Sequence, residues 1–215
     1  MLKLVATPIG NLKDITLRTI DALKEADIIV CEDTRETIKL LKAYDIPPKQ
    51  LISFYEEVEA QKQEDVLKLI EDDNIKVVLV SDAGTPLISD PGFKLVREAV
   101  KRQLLVESIP GPCAAIVALT VSGLPPDKFL FMGYPPEKQS HQVKMLADLP
   151  KSVTVIFYVS PHKIQRFLAN LDPNLEIVVC RELTKMYEET WRGKVEDAKV
   201  KFKNPRGEFV VLWHT

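Results

Sequence analysis

Short apolar runs alternate with amphipathic stretches along the first half of the chain, and this alternation limits the possible folds more than any other pattern in the sequence. The amphipathic stretches carry apolar residues at helical spacing; in the first of them Leu17, Ile20 and Leu23 follow one another at three-residue steps. A β-α-β-α alternation of this kind predicts a largely parallel sheet with helices on both faces. The apolar runs, rich in Val, Ile and Leu, are 2–7, 28–31, 51–54, 77–81 and 104–108.

The pattern changes where Pro110-Gly111-Pro112 interrupts the chain. We predict a domain boundary there, with one α/β domain at 1–112 and a second at 113–215. Residues 188–193 are interpreted as an extra strand running antiparallel to its neighbour, so we expect a mixed sheet in the second domain. The other strands of that domain are predicted at 129–132, 154–159, 177–180 and 208–213, with helices near 143–149 and 164–171.

Composition excludes several classes of protein. The chain has 29 basic and 31 acidic residues, a balance that excludes a globally basic nucleic-acid binder but allows a local basic patch. No apolar run approaches the roughly 18 residues of a membrane span, and Pro8 interrupts the start too early for a signal peptide. The cysteines (Cys31, Cys113 and Cys180) form no CxxC pair and the three histidines are scattered. We therefore expect a cytoplasmic protein without disulfides or a metal site.

Two loops that follow predicted strands carry unusual residues. Thr7–Leu12 contains one glycine, which matches neither a dinucleotide fingerprint nor a phosphate loop; an ordinary turn is the alternative. Ser81–Gly92 is richer, with two prolines, two glycines and two aspartates in twelve residues. Ligands bind beyond the carboxyl ends of parallel strands, so Asp82 is a candidate hydrogen-bond acceptor for a ligand. Asp90 before Pro91 is interpreted as a helix N-cap.

A third segment, Glu32-Asp33-Thr34-Arg35, ends the second predicted strand. Two carboxylates and a guanidinium at such a place can supply a general base and the group that orients it. Helix capping by Asp33 or Thr34, with Glu36 in the first turn, explains the same residues structurally. The two roles are compatible on one segment.

The second half offers weaker signals. Ser160-Pro161 marks a helix start, and His162 beside it is interpreted as a surface residue rather than a base. The segment Arg181–Lys185 is interpreted either as a group of surface ion pairs or as a binding site for an anionic substrate. Several cations between positions 194 and 206 suit a solvated helix face, with a phosphate-contacting edge as the alternative.

Taken together and in order, these motifs resemble the small-subunit ribosomal RNA 2′-O-ribose methyltransferase I family, within the tetrapyrrole methylase (class III methyltransferase) superfamily. The resemblance covers nearly the whole chain, and eight motifs in register make it specific. The motifs are 5–12, 14–18, 32–35, 81–92, 110–112, 122–125, 160–162 and 181–185.

The resemblance implies two α/β domains with S-adenosylmethionine in the cleft between them, and a homodimer. It implies methylation of a ribose 2′-hydroxyl on a cytidine in the decoding region of 16S ribosomal RNA, either free or in the small ribosomal subunit. The segment from Glu32 to Arg35 would face the substrate. The implied cofactor-binding residues are Pro8, Gly10, Asp82, Gly84, Pro86, Leu87, Ile88 and Ala114, with Tyr158, Ser160, Leu183 and Gly207 from the second domain.

Three features depart from the family's pattern. Cys113 stands where a serine is expected, which removes a hydroxyl near the cofactor. Val159 stands where the family usually has a glutamate. The sequence also ends at Thr215, whereas many members carry a further helical segment, and a difference there would affect RNA affinity.

For the reaction we predict Asp33 or Glu32 as the base, with Arg35 orienting the base or a phosphate. Arg181, Lys185 and Arg192 are predicted to contact RNA phosphates. One alternative keeps the fold and cofactor but methylates a small molecule such as a tetrapyrrole, or a modified protein side chain. Another is a non-enzymatic module that binds during ribosome assembly.

Overall fold

The computed structural model describes residues 1–215, with the side chain of Glu56 left aside. The chain divides into two compact units, unit 1 at Met1–Cys113 and unit 2 at Ala114–Thr215. Among the described residues, no helix combines the length and the apolar character that crossing a membrane requires.

Unit 1 is a parallel sheet with helices on both faces, as the alternation predicts. All strand pairs are parallel, in the order β3-β2-β4-β1-β5. The strands are β1 (Leu2–Val5), β2 (Ile28–Cys31), β3 (Gln50–Ser53), β4 (Val77–Val80) and β5 (Val106–Ile109). The helices are α1 (Leu17–Glu25), α2 (Thr34–Ala43), α3 (Glu56–Glu71) and α4 (Phe93–Lys101), preceded by a 3-10 turn at Leu12–Asp14.

The two faces of this sheet bury separate apolar clusters. One cluster joins Val30 and Leu79 to residues of α3 and α4, and the other joins Ile29 and Val80 to residues of α1 and α2. Alternate residues of a strand point to opposite faces, so a strand covered on both sides is apolar throughout, as β2 and β4 are. Each such side chain contributes roughly 1.5–3 kcal/mol of burial free energy.

The strand order creates a crevice between β2 and β4. The connection after β2 runs to β3 on one side, and the connection after β4 runs to β5 on the other side. Neighbouring parallel strands whose connections diverge leave an opening at their carboxyl ends, and ligands of open α/β sheets bind at such switch points. The residues after β2 and β4 therefore border the place where a ligand is expected.

Unit 2 holds the mixed sheet predicted for it, in the order β6-β7-β10-β8-β9. β6 and β7 are parallel and the remaining pairs are antiparallel, including the pairing of β9 with β8. The strands are β6 (Phe129–Gly133), β7 (Thr154–Val159), β8 (Glu176–Arg181), β9 (Glu189–Lys194) and β10 (Phe209–His214). The helices are α5 (Ala114–Ser122), α6 (Gln139–Ala147), α7 (Ile164–Ala169) and α8 (Val195–Lys201).

An aromatic cluster forms the core of unit 2. The rings of Phe157 on β7 and Trp213 on β10 stack 5.3 Å apart, and Phe167 of α7 lies beside both. Residues of α7 and α8 complete this cluster. Helix α5 contributes nothing to it and packs on β7, β8 and β10 instead. The α/β architecture predicted for both halves is confirmed.

Two predicted helix starts are wrong. Ser160-Pro161 lies in the turn that precedes α7, which begins at Ile164 with Lys163 as its N-cap. Asp90 does not cap helix α4, because the helix begins at Phe93 and its N-cap is Gly92. Gly92 has φ of 113°, a left-handed conformation that glycine adopts without strain. A Cβ there would lie 2.9 Å from the side chains of Leu79 and Leu87, so a residue with a side chain would not fit at this position. Asp90 therefore has no capping role that explains it.

Candidate functional site

The two loops that follow β1 and β4 are joined at the carboxyl edge of unit 1. Thr7 and Gly84 form an isolated antiparallel bridge, with N···O distances of 2.8 and 3.1 Å. The Thr7 hydroxyl donates to the Ser81 carbonyl at 3.2 Å, and the Ser81 hydroxyl donates to the Gly84 carbonyl at the same distance. These bonds hold the two predicted cofactor loops in one arrangement.

The loop after β5 is packed into the same group. The Thr85 hydroxyl donates to the Pro112 carbonyl at 2.9 Å. A Cβ on Gly111 would lie 2.7 Å from the Cβ of Ala6, so only glycine fits that approach. A Cβ on Gly84, whose φ is 92°, would lie 3.2 Å from Ile9. Three segments that the sequence pointed to separately are thus in direct contact.

The second half of the Ser81–Gly92 loop carries unusual backbone. Leu87 and Ser89 have φ values of 74° and 68°, which ordinary side chains rarely adopt. Such conformations cost about 1–3 kcal/mol each and concentrate at ligand sites. Pro86 and Pro8 are buried, whereas Ile88 and Gly10 are exposed. The predicted cofactor residues of unit 1 thus form a buried support beneath an exposed surface.

A cavity of about 410 Å³, hereafter the basin, opens at the β2/β4 crevice. Its walls come from the carboxyl ends of three neighbouring strands: residues 32–35 after β2, Ser53 and Tyr55 at the end of β3, Glu57 on α3, and Asp82 after β4. The predicted catalytic residues Glu32, Asp33 and Arg35 are therefore brought together with the predicted cofactor residue Asp82.

Asp33 is fully engaged by its neighbours. Its carboxylate caps α2 by accepting from the Arg35 N–H at 2.8 Å, and it binds the Arg35 guanidinium through Nε and Nη2, with Nη2 at 2.6 Å. These hydrogen bonds lower the pKa of Asp33 to about 2. Its own N–H donates to the Asp82 carboxylate at 3.0 Å, which ties the β2 and β4 loops together. The capping alternative for this segment is confirmed.

Three other carboxyl groups at this edge resist ionisation. Burial raises the pKa of Glu32, and the nearby charges of Asp82, Asp33 and Glu57 raise it further. Burial also raises the pKa of Asp82, against the hydrogen bond from the Asp33 N–H. Burial raises the pKa of Asp90 to about 7, although a side-chain hydrogen bond with Ser81 acts in the opposite direction. Perturbed carboxyl groups gathered in a cleft are typical of catalytic sites.

Glu32 and Asp33, the two predicted bases, are thus distinguished by their surroundings. A base is most effective when its pKa lies near the working pH. Asp33, with its pKa near 2 and its oxygens bound by Arg35, is a weak proton acceptor. Glu32 opens on the basin with a raised pKa, and no cation pairs with it among the described side chains. Glu32 is therefore the better candidate.

The cations predicted to contact RNA in unit 2 are engaged in contacts within the unit. Arg192 donates to the carbonyls of Ser122 and Val121, the last residues of α5, and so caps that helix. Lys185 pairs with Glu208 at 2.9 Å and Glu182 at 3.2 Å.

The third cation, Arg181, pairs with Glu189 at 3.4 Å. Lys201 binds the same glutamate at 2.6 Å. The Arg181 Nε is buried and has no hydrogen-bond partner among the described residues. The surface ion-pair alternative therefore describes much of this region.

The predicted cofactor residues of unit 2 fall into two groups. At the start of α5, the Ala115 N–H next to Ala114 donates to the Tyr158 hydroxyl at 3.0 Å, and Ser160 follows two residues later along the chain. In the second group, the Glu208 N–H after Gly207 donates to Glu182 at 2.9 Å, beside the buried Leu183. Gly207 has φ of 87°, and a Cβ there would collide with the Glu182 side chain.

Sequence reasoning missed one wall of the basin. The sequence predicts no functional role for Ser53, Tyr55 or Glu57, although Ser53 lies in the strand predicted at 51–54 and is the last residue of β3. The rule that ligands bind beyond strand carboxyl ends applies to this strand as it does to its neighbours, and it would have found them. Among the described residues, no group of three or more His, Cys, Asp or Glu side chains has the arrangement of a metal site.

The sequence of this chain is similar to those of known methyltransferases. The family model described as Tetrapyrrole (Corrin/Porphyrin) Methylases matches residues 1–199. The Ribosomal RNA small subunit methyltransferase I of Hydrogenobaculum sp. (strain Y04AAS1) is 44% identical, over 98% of this chain and 94% of its own. The protein of that name from Thermotoga maritima is 42% identical, over 97% and 96%.

Solved structures share the fold. A diphthine synthase superposes with a TM-score of 0.75 at 15% identity, covering 99% of this chain and 89% of its own. A uroporphyrin-III C-methyltransferase from Thermus thermophilus, complexed with S-adenosylhomocysteine, gives 0.66 at 17% identity, covering 98% and 96%. The resemblance found in the motifs is confirmed: this chain belongs to the tetrapyrrole methylase family, among the ribosomal RNA small subunit methyltransferases I.

Proposed function

We propose that this protein transfers a methyl group from S-adenosylmethionine to the 2′-hydroxyl of a cytidine in the decoding region of 16S ribosomal RNA. The relatives' name supports a small-subunit RNA substrate, and they match over nearly their full length. The observation in the structure that carries the reaction is Glu32, a carboxyl group of raised pKa that opens on the basin at the β2/β4 switch point. We further propose that it works as a homodimer in the cytoplasm.

The joined loops of unit 1 fit the cofactor. Gly84 has no side chain, and a Cβ at this position would lie close to Ile9. The exposed Ile88 offers apolar surface for the cofactor, and Pro86 two residues earlier is buried. Pro8, Gly10 and Leu87 complete the proposed contacts, and Ala114, Tyr158, Ser160, Leu183 and Gly207 are proposed from unit 2. The bound cofactor supplies a methyl group on a sulfonium, which needs no further activation.

The residues of the basin then have distinct tasks. Glu32 accepts the proton of the 2′-hydroxyl, a step that typically contributes about 100- to 10,000-fold to the rate. Asp33 holds the guanidinium of Arg35 in a fixed position for a phosphate. Asp82 fixes the backbone of Asp33 and thereby the segment that carries the base. Good alignment of the reacting groups supplies several further kcal/mol, on the order of 7–11 at most.

The RNA phosphates are proposed to meet the cations of unit 2. Arg181 and Lys185 retain partly exposed side chains beside their carboxylate partners, and Arg192 is exposed at one edge while it caps α5. Phosphate contacts of this kind position RNA without reading its sequence.

A second candidate is methylation of a small molecule. The volume of the basin lies within the range of small-molecule sites, and the diphthine synthase and the uroporphyrin-III methyltransferase share the fold. The near-neutral charge of the chain also suits this substrate class.

Isotope transfer separates these candidates. The protein is incubated with methyl-labelled S-adenosylmethionine and, in parallel, with naked 16S RNA, small ribosomal subunits and a tetrapyrrole. We expect label in the RNA of one of the first two and 2′-O-methylcytidine in its nuclease digest. Label in the tetrapyrrole alone, or on a base rather than a ribose, contradicts the proposal. A non-enzymatic module would label none of the three.

A further inference from the structure

The wall of the basin formed by Tyr55 and Glu57 has no task in the methyl transfer proposed above. Tyr55 is the N-cap residue of α3, but its side chain makes no capping hydrogen bond. Tyr55 is 39% exposed and is one of the residues that line the basin. Glu57 lies two residues further along the chain, in the first turn of α3, and is also exposed. An exposed aromatic side chain and an exposed carboxylate at the rim of a cavity are available for a ligand.

The chemistry of the lining selects what can enter. Glu32, Glu57 and Asp82 contribute carboxyl groups, which are acceptors of hydrogen bonds when ionised, and Arg35 is the cation among the described lining residues. The Arg35 side chain is 84% exposed, and its Nε and Nη2 are taken by Asp33, so its outer edge is presented to solvent. A ligand that suits this basin has a flat ring, an amino group and a negatively charged appendage.

A cytosine nucleotide has these three features. Its exocyclic N4 amino group is a donor that glutamate and aspartate accept, whereas uracil carries an acceptor oxygen at the corresponding position. Unpaired bases of RNA stack on tyrosine rings. Its phosphate is a partner for an exposed guanidinium.

We propose that the basin is the nucleobase subsite for the acceptor nucleotide, with Tyr55 stacking on the base, Glu57 accepting from the N4 amino group and Arg35 contacting the adjoining phosphate. This inference rests on the proposed function and adds to it the residues that choose the base. It assigns Glu32 and Glu57 different parts of one nucleotide, the ribose and the base.

The first test measures stacking. Steady-state methylation of small ribosomal subunits is compared for the wild type, Tyr55→Ala and Tyr55→Phe, with S-adenosylhomocysteine affinity measured in parallel by calorimetry. We expect Tyr55→Ala to raise the KM for the subunit about 5- to 150-fold, the value of one base–aromatic stack, without changing the Kd for S-adenosylhomocysteine. Tyr55→Phe keeps the ring and should recover most of that loss. Phe93→Ala, which removes a more exposed aromatic ring outside the basin, is the control and should leave KM unchanged.

The second test measures base selection. Small subunits carrying cytidine or uridine at the methylated position are compared as substrates. We expect the wild type to prefer cytidine at least about 5-fold in kcat/KM, which is the lower end of the range for a bidentate base-edge pair. Glu57→Gln should narrow that preference, because an amide can donate to the uracil oxygen as well as accept from N4.

The outcomes keep the two proposals apart. A wild-type protein that methylates no RNA overturns the proposed function. A wild type that methylates RNA but whose KM is unchanged by Tyr55→Ala overturns the nucleobase subsite alone. Equal use of cytidine and uridine by an active wild type overturns the amino-group contact.

Discussion

The two units carry similar charged residues at their strand ends, but the partners of those residues differ. In unit 2, Glu182 accepts from Lys185 and from the Glu208 N–H, and Arg181 shares Glu189 with Lys201. In unit 1, no cation pairs with Glu32 or Asp90 among the described side chains. The Arg35 guanidinium binds the carboxylate of Asp33 instead, through Nε and Nη2.

This difference appears in the ionisation of the two glutamates. Burial opposes ionisation of both, but in Glu182 the hydrogen bonds from the Glu208 N–H and Lys185 outweigh burial and lower the pKa. In Glu32, burial acts together with the neighbouring carboxylates and raises the pKa. A paired glutamate supports structure, whereas an unpaired one at a cavity is suited to exchange a proton. The hydrogen-bond and ion-pair partners of a glutamate, more than its residue type, therefore distinguish the structural Glu182 of unit 2 from the candidate base Glu32 of unit 1.

The strongest test of this contrast is Glu32→Gln. We expect the single-turnover methylation rate to fall about 100- to 10,000-fold while RNA binding is retained, because the amide cannot accept the proton. In the wild type the rate should fall as the pH drops, starting above the ordinary carboxyl range, because the raised pKa of Glu32 governs the active ionised form. Glu36→Gln, an exposed neighbour on α2, is the control and should keep the rate. A Glu32→Gln rate equal to that of the wild type would remove Glu32 as the base.

Asp33→Ala should lower the rate less than Glu32→Gln does, because it releases Arg35 without removing the base. It also removes the N-cap of α2, which costs about 0.5–2 kcal/mol of stability. Asp33→Asn retains an acceptor for the cap but not the charge that holds the guanidinium. Comparing the thermal unfolding and the single-turnover rate of the two variants separates capping from catalysis. If Asp33→Ala lowers the rate as much as Glu32→Gln does, Asp33 becomes the better candidate for the base.

On the structural side of the contrast, Arg192→Ala should destabilise unit 2 by about 1–3 kcal/mol, because the carbonyls at the end of α5 lose a charged donor. Both tryptophans of the chain, Trp191 and Trp213, lie in unit 2, so urea unfolding followed by tryptophan fluorescence reports on this unit. Lys203→Ala, an exposed cation near the end of unit 2, serves as the control.

The same variant tests the predicted RNA contact. If Arg192 contacts a phosphate, the slope of log affinity against log salt should decrease by about 1 when it is replaced. An unchanged slope together with lower stability would assign Arg192 to structure alone.

The sequence predicted the two sheets because their signals are local. Alternating apolar runs fix the strands, and the parallel pairing in unit 1 follows from helical connections between them. The loops were also found, because glycine and proline at strand ends have direct conformational meaning at Gly84 and Pro86. The strand order was not predicted, and the crevice between β2 and β4, which joins Glu32 to Asp82, depends on that order.

Long-range partners account for what the sequence left open. Nothing local distinguishes Glu32 from Asp33 as a base, since the difference lies in contacts to Arg35, Asp82 and Glu57. Arg192 looks like a free cation in the sequence, and only its position beside the end of α5 makes it a cap. Asp90 looks like an N-cap because it precedes a proline, but the left-handed Gly92 moves the start of the helix.

Replacement of Asp90 has the smallest of the expected effects, and it concerns stability. The pH dependence of the stability that Asp90 contributes is opposite in sign to that of an ordinary paired carboxylate. Burial raises its pKa from 3.8 to about 7 in the folded protein, so the stability it contributes is full below pH 3.8 and is lost as the pH rises through 7. Asp90→Asn, which stays neutral, should match the wild type near pH 3 and be more stable by about 1–2 kcal/mol at pH 8, since water at this half-buried position screens part of the charge. Hydrogen exchange of the β4 amides at each pH measures the difference between the two proteins, with Asp21→Asn, an exposed carboxyl on α1, as the control. A stability gain that is the same at both pH values would show that burial of the ionised carboxylate is not its source.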